Sequence, residues 1–474
     1  MDSQSKNVAK SSFFSIGTIV ALNIATVINI YGFPSEAFYG LTSISLYLIA
    51  IVIFLIPVAL ISAEFGAMFP KRGGIYTWTS EAFSPKVGIF ATWLQWIQSV
   101  FFYPLSLTFA AVTFSYIFPD SSISGYLSNN KFYIIGFILI IFWACTLINL
   151  KNKLSNIGKI SVIGVWVGIF IPVFLLIAFS IYYMISGGHI EMSTDLSSAI
   201  PRFHTIDQVV MAVSILLFFS GLEVNGVHVH MMKNPSRDYP KALLFTSLII
   251  GVIYILGTLA IAIIIPSKEL NITQSVISAL SSYLSYINIK FILPVIAGAL
   301  AFGVLTNTLA WITGPASVIS YISTLGYLPK AVEKTNKNNA PVVILIAQAV
   351  IVTIISFIYV ISSHVQQGYQ MLLQMTNAIY LTMYIIMYIS FIRLRYKNKT
   401  IDRPYKAGKT MFQAWGITLI GLTSAVCCFI LSFFPPAQLD ITHQRNYILI
   451  LFGIYIALIL PPVIYIMYKR QAKS

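Results

Sequence analysis

Twelve stretches of this chain are apolar over about 20 residues or more, long enough to cross the hydrocarbon layer of a bilayer. Their recurrence constrains the fold more than any single motif. They fall near residues 13–36, 43–68, 88–117, 132–150, 156–185, 206–231, 242–265, 290–321, 341–362, 370–394, 412–434 and 447–468. Only 9% of the 474 residues are charged while 58% are hydrophobic, and mean hydropathy is +0.84, well beyond what a soluble core requires. In lipid every backbone polar group must find its partner inside the protein, so runs of this length are read as helices. The expectation is an all-α polytopic membrane protein with twelve transmembrane helices. The first run is long and has no small-residue cleavage site, so it is expected to remain as a helix rather than be removed as a leader.

A net charge of +15 suggests nucleic acid until its placement is examined. Lys131, Arg202, Lys268, Lys290 and Arg445 occupy one set of connections. All other Lys and Arg residues fall on the opposite set, which includes both ends of the chain. The positive-inside rule then places both termini in the cytoplasm. The charge reports topology, with the lipid bilayer as partner and no nucleic acid. The basic loop from Arg393 to Lys409 is read as an orientation anchor, with Pro404 and Gly408 breaking any helix there. Cys145, Cys427 and Cys428 lie in apolar spans and imply no disulfide framework. No cofactor motif is present. His228 and His230, two apart on a helix, diverge instead of sharing the face that a helical metal pair needs, so no metal is expected.

The sixth run carries Ser220, Gly221 and then Glu223 in otherwise apolar surroundings. An acid at membrane depth is costly and therefore marks function. Every other Asp or Glu is assignable to a loop or a helix end, leaving Glu223 as the single deep carboxyl group, poised to exchange a proton. Two runs are also interrupted. The first breaks around Val27-Ile28-Asn29-Ile30-Tyr31-Gly32-Phe33-Pro34, and the sixth around Phe218-Phe219-Ser220-Gly221-Leu222. Pro removes a donor and Gly loosens the helix, and such breaks are tolerated only where they line a cavity inside protein. Matched breaks in two halves point to a midplane substrate site.

Further motifs carry a resemblance. Ala63-Glu64 followed by Phe69-Pro70-Lys71-Arg72-Gly73-Gly74-Ile75-Tyr76-Thr77-Trp78 is similar to the second-helix signature of amino acid/polyamine/organocation transporters. Gly221-Leu222-Glu223, His228-Val229 and Asn234-Pro235-Ser236-Arg237-Asp238-Tyr239-Pro240 resemble the glutamate:γ-aminobutyrate antiporter branch. So do Ala310-Trp311-Ile312-Thr313-Gly314-Pro315, Leu328-Pro329, Asn336-Lys337-Asn338 and Ala340-Pro341-Val342. The resemblance implies the LeuT-type fold. Two inverted five-helix repeats, residues 1–185 and 186–396, are followed by two extra helices and a short cytoplasmic tail in 397–474. It also implies that the unwound backbone of the first and sixth helices holds the α-amino and α-carboxylate groups of an amino acid. By position these are Val27, Ile28 and Asn29, and Phe219, Ser220 and Gly221. Half-helix ends supply the matching partial charges.

By the same resemblance Trp311 is an aromatic gate over the substrate, Tyr31 flanks the first break, and Tyr380 and Tyr384 share one face of the tenth helix. The chain departs from the pattern in three places. Val27-Ile28-Asn29 replaces a G-x-G turn, Asn307 stands where the antiporters tend to carry an acid, and Ala316-Ser317 replaces a small-Arg step. The long carboxy-terminal plug of acid-resistance members is not seen. Together these features imply a secondary transporter of the inner membrane, an exchanger of a small amino acid or its decarboxylated amine, with Glu223 coupling protons or gating. Proton-coupled uptake and a non-transporting nutrient receptor are the competing readings. No converging nucleophile, base or metal ligands suggest an enzyme.

Overall fold

A computed structural model of the chain describes residues 14–69, 74–152, 154–397, 402–437, 439 and 444–471. Pro70 to Gly73 of the second-helix signature, and residues 398–401 of the basic loop, lie outside that set. The described residues are helical, with no strand beyond two isolated bridges. Numbered along the chain, α1 (Ile16–Val27) and α2 (Phe33–Ala37) are followed by α3 (Thr42–Met68), α4 (Gly74–Ala82), α5 (Pro85–Ser115) and α6 (Ser121–Asn129). Then come α7 (Lys131–Lys151), α8 (Lys159–Ile185), α9 (Asp207–Phe218), α10 (Arg237–Ala262) and α11 (Ser275–Tyr286). The chain ends with α12 (Lys290–Thr324), α13 (Val342–Ile361), α14 (Val365–Lys397), α15 (Met411–Leu431) and α16 (Gln444–Tyr465).

Among the described residues, 10 of these helices are long and apolar enough to span a membrane. An eleventh span results if the pair formed by α1 and the short helix after it, bent by 47°, is counted as one. Over the sixth apolar run the chain forms the short α9, a break, and a 3₁₀ stretch over Val224–Met231.

The enclosed centre of the bundle is formed by α5 and α14, which pack along each other. Their composition suits this place, because they carry the polar side chains that lipid would reject. Gln98, Ser99, Ser106, Thr108 and Thr113 on α5, and Gln370, Gln374, Thr376 and Asn377 on α14, are all buried. In contrast, α15 and α16 leave most of their surface outside the bundle, as all-round apolar helices against lipid do. Both α3 and α8 contain a wide turn, over Ile51–Leu55 and Trp166–Phe170, immediately before Pro57 and Pro172. Such turns take up the hydrogen bond that proline cannot make.

Close packing of α8 on α12 relies on glycine. A Cβ placed on Gly168 would meet the Cα of Gly303 at 2.2 Å, and one on Gly303 would meet the Cα of Gly168 at 2.6 Å. Small residues bring membrane helices within backbone contact. Replacing Gly168 with Val is therefore expected to lower stability by at least about 1–3 kcal/mol, the usual cost of overpacking. Thermal unfolding in detergent, followed by tryptophan fluorescence, checks this, and an unchanged transition would contradict it.

Candidate functional site

The first span breaks after Val27. Ile28 and Asn29 adopt extended conformations (φ −73°, ψ 117° and φ −127°, ψ 106°) before a turn over Ile30–Gly32 and then α2. The freed backbone is largely re-satisfied from within the protein. The Asn29 N–H donates to the Tyr254 hydroxyl on α10 at 3.1 Å, and that hydroxyl donates to the Val27 carbonyl at 3.1 Å. Asn29 Nδ2 reaches the same carbonyl at 3.1 Å, while the Tyr31 hydroxyl donates to Asn29 Oδ1 at 2.8 Å. An asparagine that bonds its own backbone thus does the work of a glycine-rich turn. The Ile28 amide remains tied to the Ile24 carbonyl at 2.9 Å.

The second break follows α9. Phe219 and Ser220 still donate their amides to Ile215 and Leu217, at 2.9 and 3.0 Å, so the helix end keeps both. Gly221 then turns the chain with φ +110°, which an L side chain rarely adopts. Its N–H donates to the Tyr384 hydroxyl at 3.0 Å. The two breaks face each other, since a Cβ on Gly221 would lie 3.5 Å from Thr26 Cγ2 and 3.6 Å from Val27 Cγ2. Asn225 fastens them, donating to Asn23 Oδ1 at 2.8 Å and Thr26 Oγ1 at 3.1 Å.

Two residues past the glycine, Glu223 is 1% exposed. Tyr380 donates to its Oε1 and Tyr384 to its Oε2, each at 2.5 Å. The tyrosines sit one turn apart on α14 with ring centroids 5.0 Å apart. The Tyr384 hydroxyl therefore takes the Gly221 N–H and gives its own hydrogen to Glu223, binding both ends of the break to the central helix. The carboxyl group is anchored on α14.

Glu223 is not the single deep acid that the sequence suggests. Glu36 and Glu64 are buried as completely, at 0% and 1% exposure. Glu64 ends in an ion pair with Arg395 and another with Arg403 at 3.4 Å, and accepts the Ala407 N–H at 2.7 Å. In the sequence Glu36 stands at a helix end because the apolar run stops there. The break resumes as α2, which carries the residue back into the interior.

A cavity of about 470 Å³ opens beneath the breaks. Of the residues singled out from sequence, Glu223, Asn307, Trp311 and Tyr380 line it. Val27, Ile28, Asn29, Tyr31, Phe219, Ser220, Gly221 and Tyr384 are buried around the breaks rather than on the cavity wall. Tyr31 packs on Phe102, Phe109 and Phe218. Sequence reasoning missed Gln95, Gln98 and Ser99 on α5, together with Thr26 and Asn225, all in the lining. The α5 residues carried a signal. Polar residues spaced three and four apart form one stripe on an otherwise apolar span. His228 also lines the cavity, and its ring lies 6.2 Å from that of Phe14. Among the described residues, the lining contains no Lys or Arg.

A bundle of apolar spans enclosing a cavity, mostly apolar but with amide, hydroxyl and carboxyl groups in its wall, under two interrupted helices is built as a membrane carrier. The chain belongs to the amino acid permease family, whose profile matches residues 10–456. It is a membrane transporter and not an enzyme. It is 32% identical over 430 residues to an uncharacterised transporter of Legionella pneumophila, covering 90% of this chain and 91% of that one. It is 28% identical over 475 residues to a glutamate/gamma-aminobutyrate antiporter of Lactococcus lactis, covering 98% and 92%. A probable agmatine/putrescine antiporter of the same species is 26% identical over 374 residues, 76% of this chain and 75% of the relative.

The bonds at the second break predict that Tyr384→Phe is more damaging than removal of a surface hydroxyl. It strips partners from the Gly221 N–H and from Glu223 Oε2 together, at a cost of about 1–3 kcal/mol for a buried group left unpaired. Thermal unfolding of purified Tyr384→Phe tests this, and a transition equal to that of the unaltered protein would contradict the bonding.

Proposed function

We propose that this protein is an amino-acid exchanger that works by alternating access, moving a small amino acid against another or against its decarboxylated amine. The observation that carries this reading is the meeting of two helix breaks above a cavity whose wall includes Glu223. The antiporter names of two relatives support it. In this reading residues 1–185 and 186–396 form two inverted repeats, with 397–474 outside them. Counting the bent first span and the broken sixth as crossings gives twelve. The lysine-rich end, where the cavity is lined by Gly74 and His228, faces the cytoplasm of a cell whose inner membrane holds the protein.

The lining supplies amides and hydroxyls from Gln95, Gln98, Ser99, Asn225 and Asn307 and, among the described residues, no cationic Lys or Arg. A fully ionised acidic side chain finds no counter-ion among those residues, so a neutral or amine side chain suits this wall better. Trp311 provides a flat apolar wall for it. Val27, Ile28 and Asn29 on one side, and Phe219, Ser220 and Gly221 on the other, serve as the backbone frame that shapes the amino-acid end of the site. Glu223 couples or gates, with its state passed through Tyr380 and Tyr384 to α14.

Counterflow in proteoliposomes tests the reading. Labelled amino acid is expected to enter only vesicles preloaded with unlabelled amino acid or amine. Entry into empty vesicles driven by a proton gradient would replace exchange with symport. Glu223→Gln is expected to fold and to flatten the pH dependence of exchange, and an unchanged pH profile would remove that role from Glu223.

A further inference from the structure

Among the described residues three carboxyl groups are buried, and they are served very differently. Glu64 has Arg395, Arg403 and a backbone amide. Glu223 receives a phenol on each oxygen. Glu36, wholly enclosed on α2, touches one polar partner, the Ser214 hydroxyl on α9, with Ser214 Oγ 2.6 Å from its Oε1. Its Oε2 has no hydrogen-bond partner among the described residues.

Counting hydrogens favours a neutral carboxyl group at that position. Ser214 Oγ also lies 2.8 Å from the Met211 carbonyl. A serine hydroxyl carries one hydrogen, and both a carbonyl and a carboxylate only accept. With Glu36 ionised, that one hydrogen must be shared between two acceptors and Oε2 is left as a buried, unpartnered anion oxygen. With a hydrogen on the Glu36 carboxyl group both contacts are served in full, serine donating to Met211 and accepting from Glu36.

The surroundings supply nothing that would hold Glu36 as an anion. Ion pairs to Glu36 are absent among the described residues. Tyr47 is the titratable group that interacts with it, and the phenols on the elements around it have hydroxyls committed elsewhere. Tyr47 of α3 bonds Thr258 at 2.8 Å, and Tyr254 of α10 bonds the first break. Tyr283 of α11 donates to the Ala260 carbonyl at 2.6 Å, and Tyr369 of α14 donates to the Tyr31 carbonyl at 3.3 Å. On the connection after α2, Tyr39 donates to the Gln208 carbonyl at 2.8 Å. Asp207 sits at the start of α9 and is partly exposed.

Position gives this proton a direction. The cavity is lined by the other two halves of the broken spans, by Leu22, Ala25 and Thr26 of α1 and by Val224, Asn225 and His228 beyond the second break. Glu36 and Ser214 join the halves that close the opposite side. We propose that Glu36 is a second proton-carrying site of the transporter, loaded while α2 and α9 are in contact and emptied into solvent on the side away from the cavity when their seam opens. A hydrated carboxyl group ionises near pH 4, so at neutral pH opening moves its proton from Oε to water, and closing takes one back. This rests on the alternating-access reading given above.

Two measurements test it. Exchange in proteoliposomes is followed while pH is varied only on the side opposite the cavity mouth. The unaltered protein is expected to respond to that pH. Glu36→Gln, which keeps a neutral side chain of the same shape, is expected to lose the response to pH on that side. Difference infrared spectroscopy of the purified protein reads the group directly. A carbonyl band of an un-ionised carboxyl group is expected in the unaltered protein and in Glu223→Gln, and its loss in Glu36→Gln. If Glu36→Gln does not fold, Glu36→Asp is expected to shift the same band. Absence of the band, or a Glu36→Gln exchanger with the same pH response as the unaltered protein, overturns the proposal. Failure of counterflow alone with the band present removes the exchanger reading but leaves the proton on Glu36.

Discussion

The carboxyl group of Glu223 held between Tyr380 and Tyr384 is the interaction on which the rest of the structure depends. A helix interrupted inside a bilayer must re-satisfy the amide and carbonyl groups it releases. Here Tyr384 takes the Gly221 N–H, and Glu223 is gripped from the same turn of α14, so the central helix replaces what the broken ladder lost. The glycine at φ +110° directs the chain so that the acid points inward rather than toward lipid.

The first break follows the same rule with different parts. Tyr254 and the side chain of Asn29 close the gap, and the rings of Tyr31, Phe218 and Tyr254 pack beside it. Both breaks are thus braced by phenols, which combine apolar rings with a single polar tip and tolerate dry surroundings when that tip is bonded. The cavity then occupies space beneath the braced backbone, and α5 contributes amide and hydroxyl groups to its wall. Because the breaks are bonded to α10 and α14 rather than to the cavity, many residues around them are fully buried and do not touch it.

Much of this was legible in the sequence because membrane spans announce themselves by length and apolarity. The breaks were legible too, through Gly221 and the Gly32-Phe33-Pro34 step, as was the pairing of Tyr380 with Tyr384 on one helical face. Three features were not. Glu36 lies at the edge of an apolar run, and only the bend after Val27 shows that the chain returns to the interior there. Glu64 looks like a helix end, and the arginines that bury it come from more than 300 residues away, |i−j| being 331 for Arg395. Gln95, Gln98 and Ser99 form a readable polar stripe, yet nothing local tells which way a stripe on a fully enclosed helix faces.

The central claim is that the cavity under the two breaks is where substrate sits. The most direct measurement places a single cysteine at Thr26, on the cavity wall, in a protein whose Cys145, Cys427 and Cys428 are replaced, and follows its labelling by a small thiol reagent. Transported amino acid is predicted to slow labelling in proportion to occupancy, while an amino acid that is not transported has no effect. Labelling that is indifferent to every transported substrate would contradict the account.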